Sequence, residues 1–339
     1  MTSRCLITGA TGFVGSNLAR RLRREGWDVR CLVRASSKLD QIESLGCELV
    51  HGSLDDSASL STAGAGVDVV FHLAGRTAAL RASEFTRDNV EGTRLLAQAC
   101  AAQPNPPVLV MVSSLAAGGP GTLISPRREC DRERPVSVYG RSKLAAEQAA
   151  VAASNNLPVS IVRPPMVFGQ ADRASLAIFH GMKFLPVHPN PGMRRFPVSL
   201  VHVSDLCDAL LRVAARGERV SANSASGTTA ARGKYYVAAD RNITYGELGQ
   251  IAATAAGWTV ATLPLPRPIF WIAGSLGEIL GRIRQRPAVI NYDKVREAFA
   301  PGWVCCDEKI RSELGYQPSA TIEQHFKQTV AWYREHGWL

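Results

Sequence analysis

Tyr139 and Lys143 lie four residues apart at the start of a stretch with helical periodicity, residues 138–153. That spacing puts a phenol and an ammonium on one helix face. A phenol is a weak acid, with a pKa of about 10, and a nearby ammonium favours the phenolate. The pair is therefore suited to exchanging a proton with an oxygen. Ser113 and Ser114 close the apolar run 108–112, and the Ser114 hydroxyl is a candidate to orient the same oxygen. Tyr-x-x-x-Lys alone is common on surface helices, so the weight of this reading rests on the elements around it.

The first of these is Thr8-Gly9-Ala10-Thr11-Gly12-Phe13-Val14-Gly15. It joins an apolar, strand-like run, Cys5-Leu6-Ile7, to a helical stretch at 16–25. Gly9 permits the tight turn, Gly12 lets a pyrophosphate approach the backbone, and Gly15 lets the helix pack close to the strand. Free amide N–H groups and the positive end of the helix dipole then face the phosphates. A dinucleotide is expected there. With a nicotinamide bound, proton transfer at Tyr139 gains a partner reaction, hydride transfer. An oxidised ring would further favour the phenolate, and Lys143 would also hold the nicotinamide ribose.

Strand and helix alternate through the first half. Strands are expected at 29–33, 48–50, 67–73, 108–112 and 159–162, and helices at 86–102 and 138–153. Such alternation gives a parallel sheet with helices on both faces, a doubly wound Rossmann-type α/β fold. It places Ser114 at a strand end, where ligands of open α/β sheets bind. After Arg163-Pro164-Pro165 the pattern turns to dense Pro and Gly. Helices return at 203–215, at 244–256 with Thr244 and Glu247 as a capping box, and at 268–284, 309–314 and 322–335. Residues 221–232, small and polar, read as a mobile loop. The expected division is a dinucleotide-binding domain over 1–165, to which 198–240 partly returns, and a smaller substrate-binding domain from 166–197 and 241–339.

The 339 residues are 46% hydrophobic and 20% charged, ordinary for a globular protein. The net charge of +10 is spread without a block of five basic residues, so nucleic acid is not an expected partner. The eight cysteines show no zinc-ligand spacing and fit a reducing cytoplasm. No signal peptide is expected, because the first strand follows Met1 almost directly. The apolar stretch 269–283, interrupted by Glu278 and Arg282, is too short and too charged to span a bilayer. It is expected to cap the smaller domain in preference to touching a membrane surface.

The chain resembles the extended short-chain dehydrogenase/reductase family, also called the NAD-dependent epimerase/dehydratase family. The resemblance rests on the glycine loop, His72-Leu73-Ala74-Gly75, Asn89-Val90-Glu91-Gly92-Thr93, Val112-Ser113-Ser114, Tyr139-Gly140-Arg141-Ser142-Lys143, Arg163-Pro164-Pro165 with Val167-Phe168-Gly169, and His202-Val203-x-Asp205. It implies Tyr139 as acid/base, Lys143 as its partner and Ser114 as the carbonyl-orienting residue. It also implies a structural role for Asn89, a helix-start role for Asp205, and a homodimer in which helices 86–102 and 138–153 pair across a two-fold axis. The expected cofactor contacts are Gly9, Thr11, Gly12, Phe13, Val14, Gly15, Arg34, Ser53, Leu54, Leu73, Ala74, Gly75, Tyr139, Lys143, Pro164 and Val167.

Departures from the family pattern narrow the substrate. Leu115-Ala116 stand where dehydratases of this group carry an acid pair, and Met166 and Val198 stand where sugar-nucleotide epimerases place polar anchors. The chain is closer in pattern to the 3β-hydroxysteroid dehydrogenase and dihydroflavonol reductase branch. It is therefore expected to interconvert an alcohol and a ketone on a mainly apolar small molecule. Phe168, Phe179, Met182, Phe184 and Phe196 are candidates for an apolar pocket, with core packing as the competing reading. A sugar-nucleotide epimerase remains the alternative within the family. A cofactor sensor without turnover is the alternative of another class, and the complete Ser114, Tyr139 and Lys143 set counts against it. The second strand ends in Arg34, followed by Ser36, Ser37 and Lys38, with no carboxylate before Asp40. A guanidinium there suits a 2′-phosphate, so NADP(H) is expected, with NAD(H) as the alternative.

Overall fold

Cys5, Leu6, Ile7 and Thr8 have no exposed surface, so strand β1 (Arg4–Thr8) is covered on both faces, as a central parallel strand must be. The computed structural model describes residues 3–192, 195–221, 231–288 and 291–339. Beside β1 lie β2 (Asp28–Val33) and β4 (Val69–His72), and outside them β3 (Glu48–His51) and β5 (Val108–Val112). Next to β5 come β6 (Val159–Arg163) and the strand Lys234–Tyr236. The order reverses between β1 and β4, and all seven strands are parallel. This is the doubly wound α/β fold expected from the alternation, and the reversal creates the crevice where ligands of such sheets sit. The loop expected at 221–232 lies outside the described residues over 222–230.

One apolar core packs helix α1 (Phe13–Arg24) and helix Val203–Arg216 on one face of the sheet, through Leu18, Leu22, Leu206 and Leu210. A second packs Leu60, Leu96, Ala146 and Ala150 on the other. The helix expected over 86–102 has a different course. It begins as Ala82–Phe85, widens into one π turn at Thr86–Glu91 and continues as Gly92–Ala101. Such turns are rare and break the regular ladder, and here the turn carries Asn89 into the interior.

A third core joins Phe168, Phe179, Met182 and Phe196 to Leu248, Ile322, Phe326 and Tyr333. Phe168 stacks on Phe326 with centroids 4.4 Å apart. These four residues are therefore core, and the apolar pocket expected from them is not there. The remaining gap beside Phe168 and Phe179 is about 10 Å³, far too small for a substrate. Phe184, the fifth candidate, points to solvent instead. Asp205 lies in the first turn of its helix as expected, and also ties down the C-terminal segment. It accepts from Ser319 N (3.1 Å) and pairs with His325 Nε2 (2.9 Å).

Near the C-terminus, helix Arg267–Ile283 is followed by helix Tyr292–Ala298, which the sequence pattern did not indicate. Thr244 and Glu247 form the expected capping box. All eight cysteines are free. Among the described residues no cluster could hold a metal ion, and no helix is long and apolar enough to cross a membrane.

Candidate active site

The glycine loop is shaped by steric necessity. Gly9 has φ +76°, and a Cβ there would lie 2.6 Å from Ala74 N. A Cβ on Gly15 would lie 2.2 Å from Gly9 O, so the start of α1 can press against the turn only without one. Gly12 caps α1 with no side-chain partner, and a Cβ on it would meet only Gly9 O at 3.2 Å. Its free side is open space at the positive end of a helix, the cradle a pyrophosphate needs.

That cradle opens into a cavity of about 1100 Å³. Of the expected cofactor contacts, Gly9, Thr11, Gly12, Arg34, Ser53, Leu54, Leu73, Ala74 and Gly75 line it. Phe13 and Val14 pack into the core beneath the loop, and Val167 packs there too. Pro164 is buried beside Ser114, its carbonyl accepting from Leu115 N (2.8 Å). Sequence reading did not pick out His51, Asp55, Arg76, Thr77, Ala78, Arg87 and Asp88, which also line the cavity. His51 ends β3, Arg87 and Asp88 belong to the π turn and the others sit in loops, and none carries a spacing signature. The Arg34 guanidinium is exposed, and no ion pair engages it among the described residues.

One directed chain of hydrogen bonds fixes the cavity floor. Ala74 N donates to Thr8 Oγ1 (3.3 Å), and Thr8 Oγ1 lies 2.7 Å from His72 Nδ1. His72 Nε2 lies 2.9 Å from Thr93 Oγ1, which donates to Asn89 O (2.6 Å). Because the Thr93 proton goes to Asn89, Thr93 accepts from His72, and Thr8 donates to Nδ1. His72 is thus neutral with its proton on Nε2. Burial, aided by the Lys143 charge, pushes its pKa down to about 3. The His of the His72–Gly75 motif is a structural spacer that joins β1, β4 and the π turn.

Asn89 and Lys143 meet at Gly75. A Cβ on Gly75 would lie 3.2 Å from Asn89 Oδ1 and 3.4 Å from Lys143 Nζ. Asn89 accepts from Arg76 N (2.6 Å) and donates to Arg76 O (3.1 Å) and Ser142 Oγ (2.9 Å). It therefore clamps the loop after β4 to the helix that carries Tyr139. Lys143 Nζ donates to Val112 O (2.9 Å), which leaves two of its N–H groups for other partners.

Helix Val138–Ala152 starts with Ser137 Oγ accepting from Gly140 N (2.9 Å). It is also capped from far along the chain. The Asp293 carboxylate accepts from Val138 N (2.9 Å) and Tyr139 N (3.1 Å). Gly140 lets this helix close on the short helix Leu115–Gly118, since a Cβ there would lie 2.4 Å from Ala116 O. Ser114 caps that short helix, accepting from Ala116 N (3.1 Å), and its side chain also hydrogen-bonds that of Tyr139.

The electrostatics differ from the sequence expectation. Burial pushes the Tyr139 phenol up to about 12, Ser114 pulling the other way and Glu297 adding to the rise. The expected lowering by Lys143 is absent. Burial also depresses Lys143 to about 8, against the pull of Glu147, and its hydrogen bond is spent on Val112. The groups facing Tyr139 include Phe85, with ring centroids 6.2 Å apart, and Lys294, whose ammonium stands 5.6 Å above the phenol ring.

A family model described as the NAD-dependent epimerase/dehydratase family matches residues 5–225. The chain belongs to that family. Its relatives include the ceramide reductase of Caulobacter vibrioides, 31% identical over 98% of this chain and 95% of that protein. The 4-hydroxy-2-methyl-3-oxo-4-farnesyl-3,4-dihydroquinoline-1-oxide ketoreductase of Stigmatella aurantiaca is 32% identical over 63% of this chain and 65% of that one. UDP-sugar epimerases match at 23–26% identity. The crystal structure of gox2253 superposes with a TM-score of 0.78 over 100% of both chains at 26% identity. The chain is thus an oxidoreductase enzyme of this NAD-dependent family, and its cofactor is a nicotinamide dinucleotide. The glycine-loop cradle and the cavity beyond it fit that group.

Proposed function

We propose that this enzyme interconverts a secondary alcohol and a ketone on a mainly apolar small molecule, with NADP(H) preferred over NAD(H). The observations that support this reading are the Ser114–Tyr139 side-chain hydrogen bond and the Lys143 ammonium, one helical turn beyond Tyr139, standing at the Gly75 edge of the dinucleotide cavity. The bound cofactor supplies or accepts the hydride. In the direction of reduction, Tyr139 gives its phenolic proton to the carbonyl oxygen as the carbon receives hydride. Ser114 donates a hydrogen bond to that oxygen and holds it beside the phenol. Lys143, fixed by Val112 O, has its remaining N–H groups for the nicotinamide ribose. In oxidation each proton moves in reverse.

The apolar character of the substrate rests on what is missing around the site. Val198 is buried in a short strand paired with Ile243–Thr244, and Met166 is exposed. Neither offers a donor to a diphosphate. The ceramide reductase and farnesyl-quinoline ketoreductase relatives point the same way. A panel of long-chain and polycyclic ketones is expected to be reduced with consumption of NADPH, while calorimetry with UDP-glucose shows no binding. Tight UDP-glucose binding would replace this reading with an epimerase.

The cofactor preference rests on Arg34, which enters the cavity wall beside Ser36 and Ser37 without a competing ion pair among the described residues. Asp55 lines the same wall, hydrogen-bonded to Ser53. A hydrogen bond to a charged group contributes about 1.5–3 kcal/mol. Arg34→Ala is therefore expected to weaken NADPH binding about ten- to 150-fold and leave NADH nearly unchanged, measured by fluorescence titration. A wild-type preference for NADH would overturn the assignment. The same proposal includes a homodimer, built on the faces where Leu95, Ala99, Leu144, Ala145 and Ala149 are only half-buried in the single chain.

A further inference from the structure

Helix Arg267–Ile283 presents its apolar side to solvent. At 100° per residue, Ile269, Ile272, Leu276, Ile279, Leu280 and Ile283 fall within an arc of about 100°. All six are exposed, Ile272 by 59% and Ile283 by 72%. The opposite side buries Gly274 and Gly281. The expected role as a cap on the smaller domain thus accounts for only one side of this helix. An uncovered apolar stripe on this scale marks a surface that meets something.

Charge indicates what that is. Over residues 267–286 there are four arginines, Arg267, Arg282, Arg284 and Arg286, against one acid, Glu278. All four arginines are exposed. Arg282, Arg284 and Arg286 cluster at the C-terminal end of the stripe, whereas Arg267 turns to the other side of the helix and stacks on Phe299. A flat anionic surface with an apolar interior complements both the stripe and its basic end. The chain's net charge of +10 favours the same partner.

The position of the helix gives such a contact a purpose. A Cβ on Gly274 would lie 2.8 Å from the side chain of Val295, so this helix packs tightly on helix Tyr292–Ala298. Ser275 Oγ lies 2.9 Å from Tyr292 Oη, and Phe270 packs edge-on against Phe299. The partner helix supplies Asp293 to the backbone of Tyr139 and Lys294 to its ring face. Farther along, a Cβ on Gly281 would lie 3.6 Å from Leu80, next to the loop whose Arg76, Thr77 and Ala78 line the cofactor cavity. The helix that carries the stripe therefore lies one helix away from Tyr139 and beside the segment that follows the cavity loop.

We propose that helix Arg267–Ile283 docks the enzyme on an anionic lipid bilayer, apolar stripe inward and Arg282, Arg284 and Arg286 at the headgroups, which sets the helix pair beside Tyr139 against the membrane. The docking itself does not depend on the alcohol/ketone reading, and its test does not use activity. The full-length protein is sedimented with phosphatidylcholine vesicles with and without phosphatidylglycerol. Wild type is expected to pellet with the anionic vesicles and to be released by salt. Arg282→Glu/Arg284→Glu/Arg286→Glu is expected to lower partitioning by about a hundredfold, and Ile272→Glu/Leu276→Glu/Ile279→Glu by at least about tenfold. Both variants alter exposed groups, and far-UV circular dichroism and NADPH titration check that they are folded. Wild type that stays in the supernatant overturns the proposal, as do folded variants that bind like wild type. Light scattering adds a further check. The docking proposal predicts that the apolar-face variant keeps the oligomeric state of wild type. A dimer that this variant converts to monomer would show that the stripe joins two copies instead.

Discussion

Tyr139→Phe is expected to lower ketone reduction by at least about a hundredfold, the lower end of what a positioned general acid contributes. The substitution removes one oxygen and keeps the ring, so the packing with Phe85 and the Lys294 ammonium above the ring survive. Cofactor affinity is expected to change little, because the cradle lies in the glycine loop. Lys143→Met differs in affecting both turnover and cofactor binding, since its ammonium stands beside the cavity at Gly75. The pH dependence carries a sign. Burial holds the phenol up to about 12 in the protein alone, so it is protonated through the neutral range. Reduction, which consumes that proton, is expected to persist to alkaline pH. Alcohol oxidation needs the phenolate and is expected to rise with pH, and the Phe variant loses that rise. Stopped-flow measurement of NADPH consumption and formation across pH reads both limbs. A Phe variant that turns over near the wild-type rate would remove Tyr139 from the acid/base role.

Glu147→Ala is expected to destabilise the fold by about 3–5 kcal/mol, the cost of leaving a buried charge without its partner. Glu147 sits one helical turn beyond Lys143, and its carboxylate engages Arg163 at 2.9 Å (Nε) and 2.5 Å (Nη2). The Arg163 side chain has no exposure, and Glu147 has almost none. Ser113 Oγ donates to the same carboxylate at 2.5 Å. Glu133 also holds Arg163, at 2.9 Å, and is shared with Lys234. Burial alone would raise Glu133, but these two cations bring it down to about 2. That remaining partner keeps the expected loss towards the lower end. The double replacement Glu147→Ala/Arg163→Met removes both charges and is expected to cost less than the sum of the single changes, as denaturant unfolding would show. Additive losses would mean that the pair does not act as a unit. The variant also reaches the site. The Glu147 carboxylate favours the Lys143 ammonium, so without it the Lys143 pKa falls further below about 8. The high-pH limit of cofactor binding is then expected to move to lower pH.

Much of the site was legible because its parts are local. The turn Thr8–Gly15 and the four-residue step from Tyr139 to Lys143 are short-range patterns, and strand–helix alternation dictates the sheet that brings them together. The NADP(H) argument at Arg34 is of the same kind, a residue at a strand end. The rest depended on which surface is covered by what, and sequence periodicity does not carry that. Composition marks 269–283 as an apolar stretch interrupted by two charges, and only the fold shows that Gly274 and Gly281 face inward while six large aliphatic side chains face out. Phe168 and Phe179 suit a core more readily than a pocket on sequence grounds, and Phe326, about 150 residues onward, packs against both and decides for the core. The Tyr139 pKa was expected to fall because its ammonium neighbour was visible in the sequence. It rises because burial is a property of the whole fold, contributed here by a helix that begins more than 150 residues later and brings Asp293, Lys294 and Glu297 around the phenol.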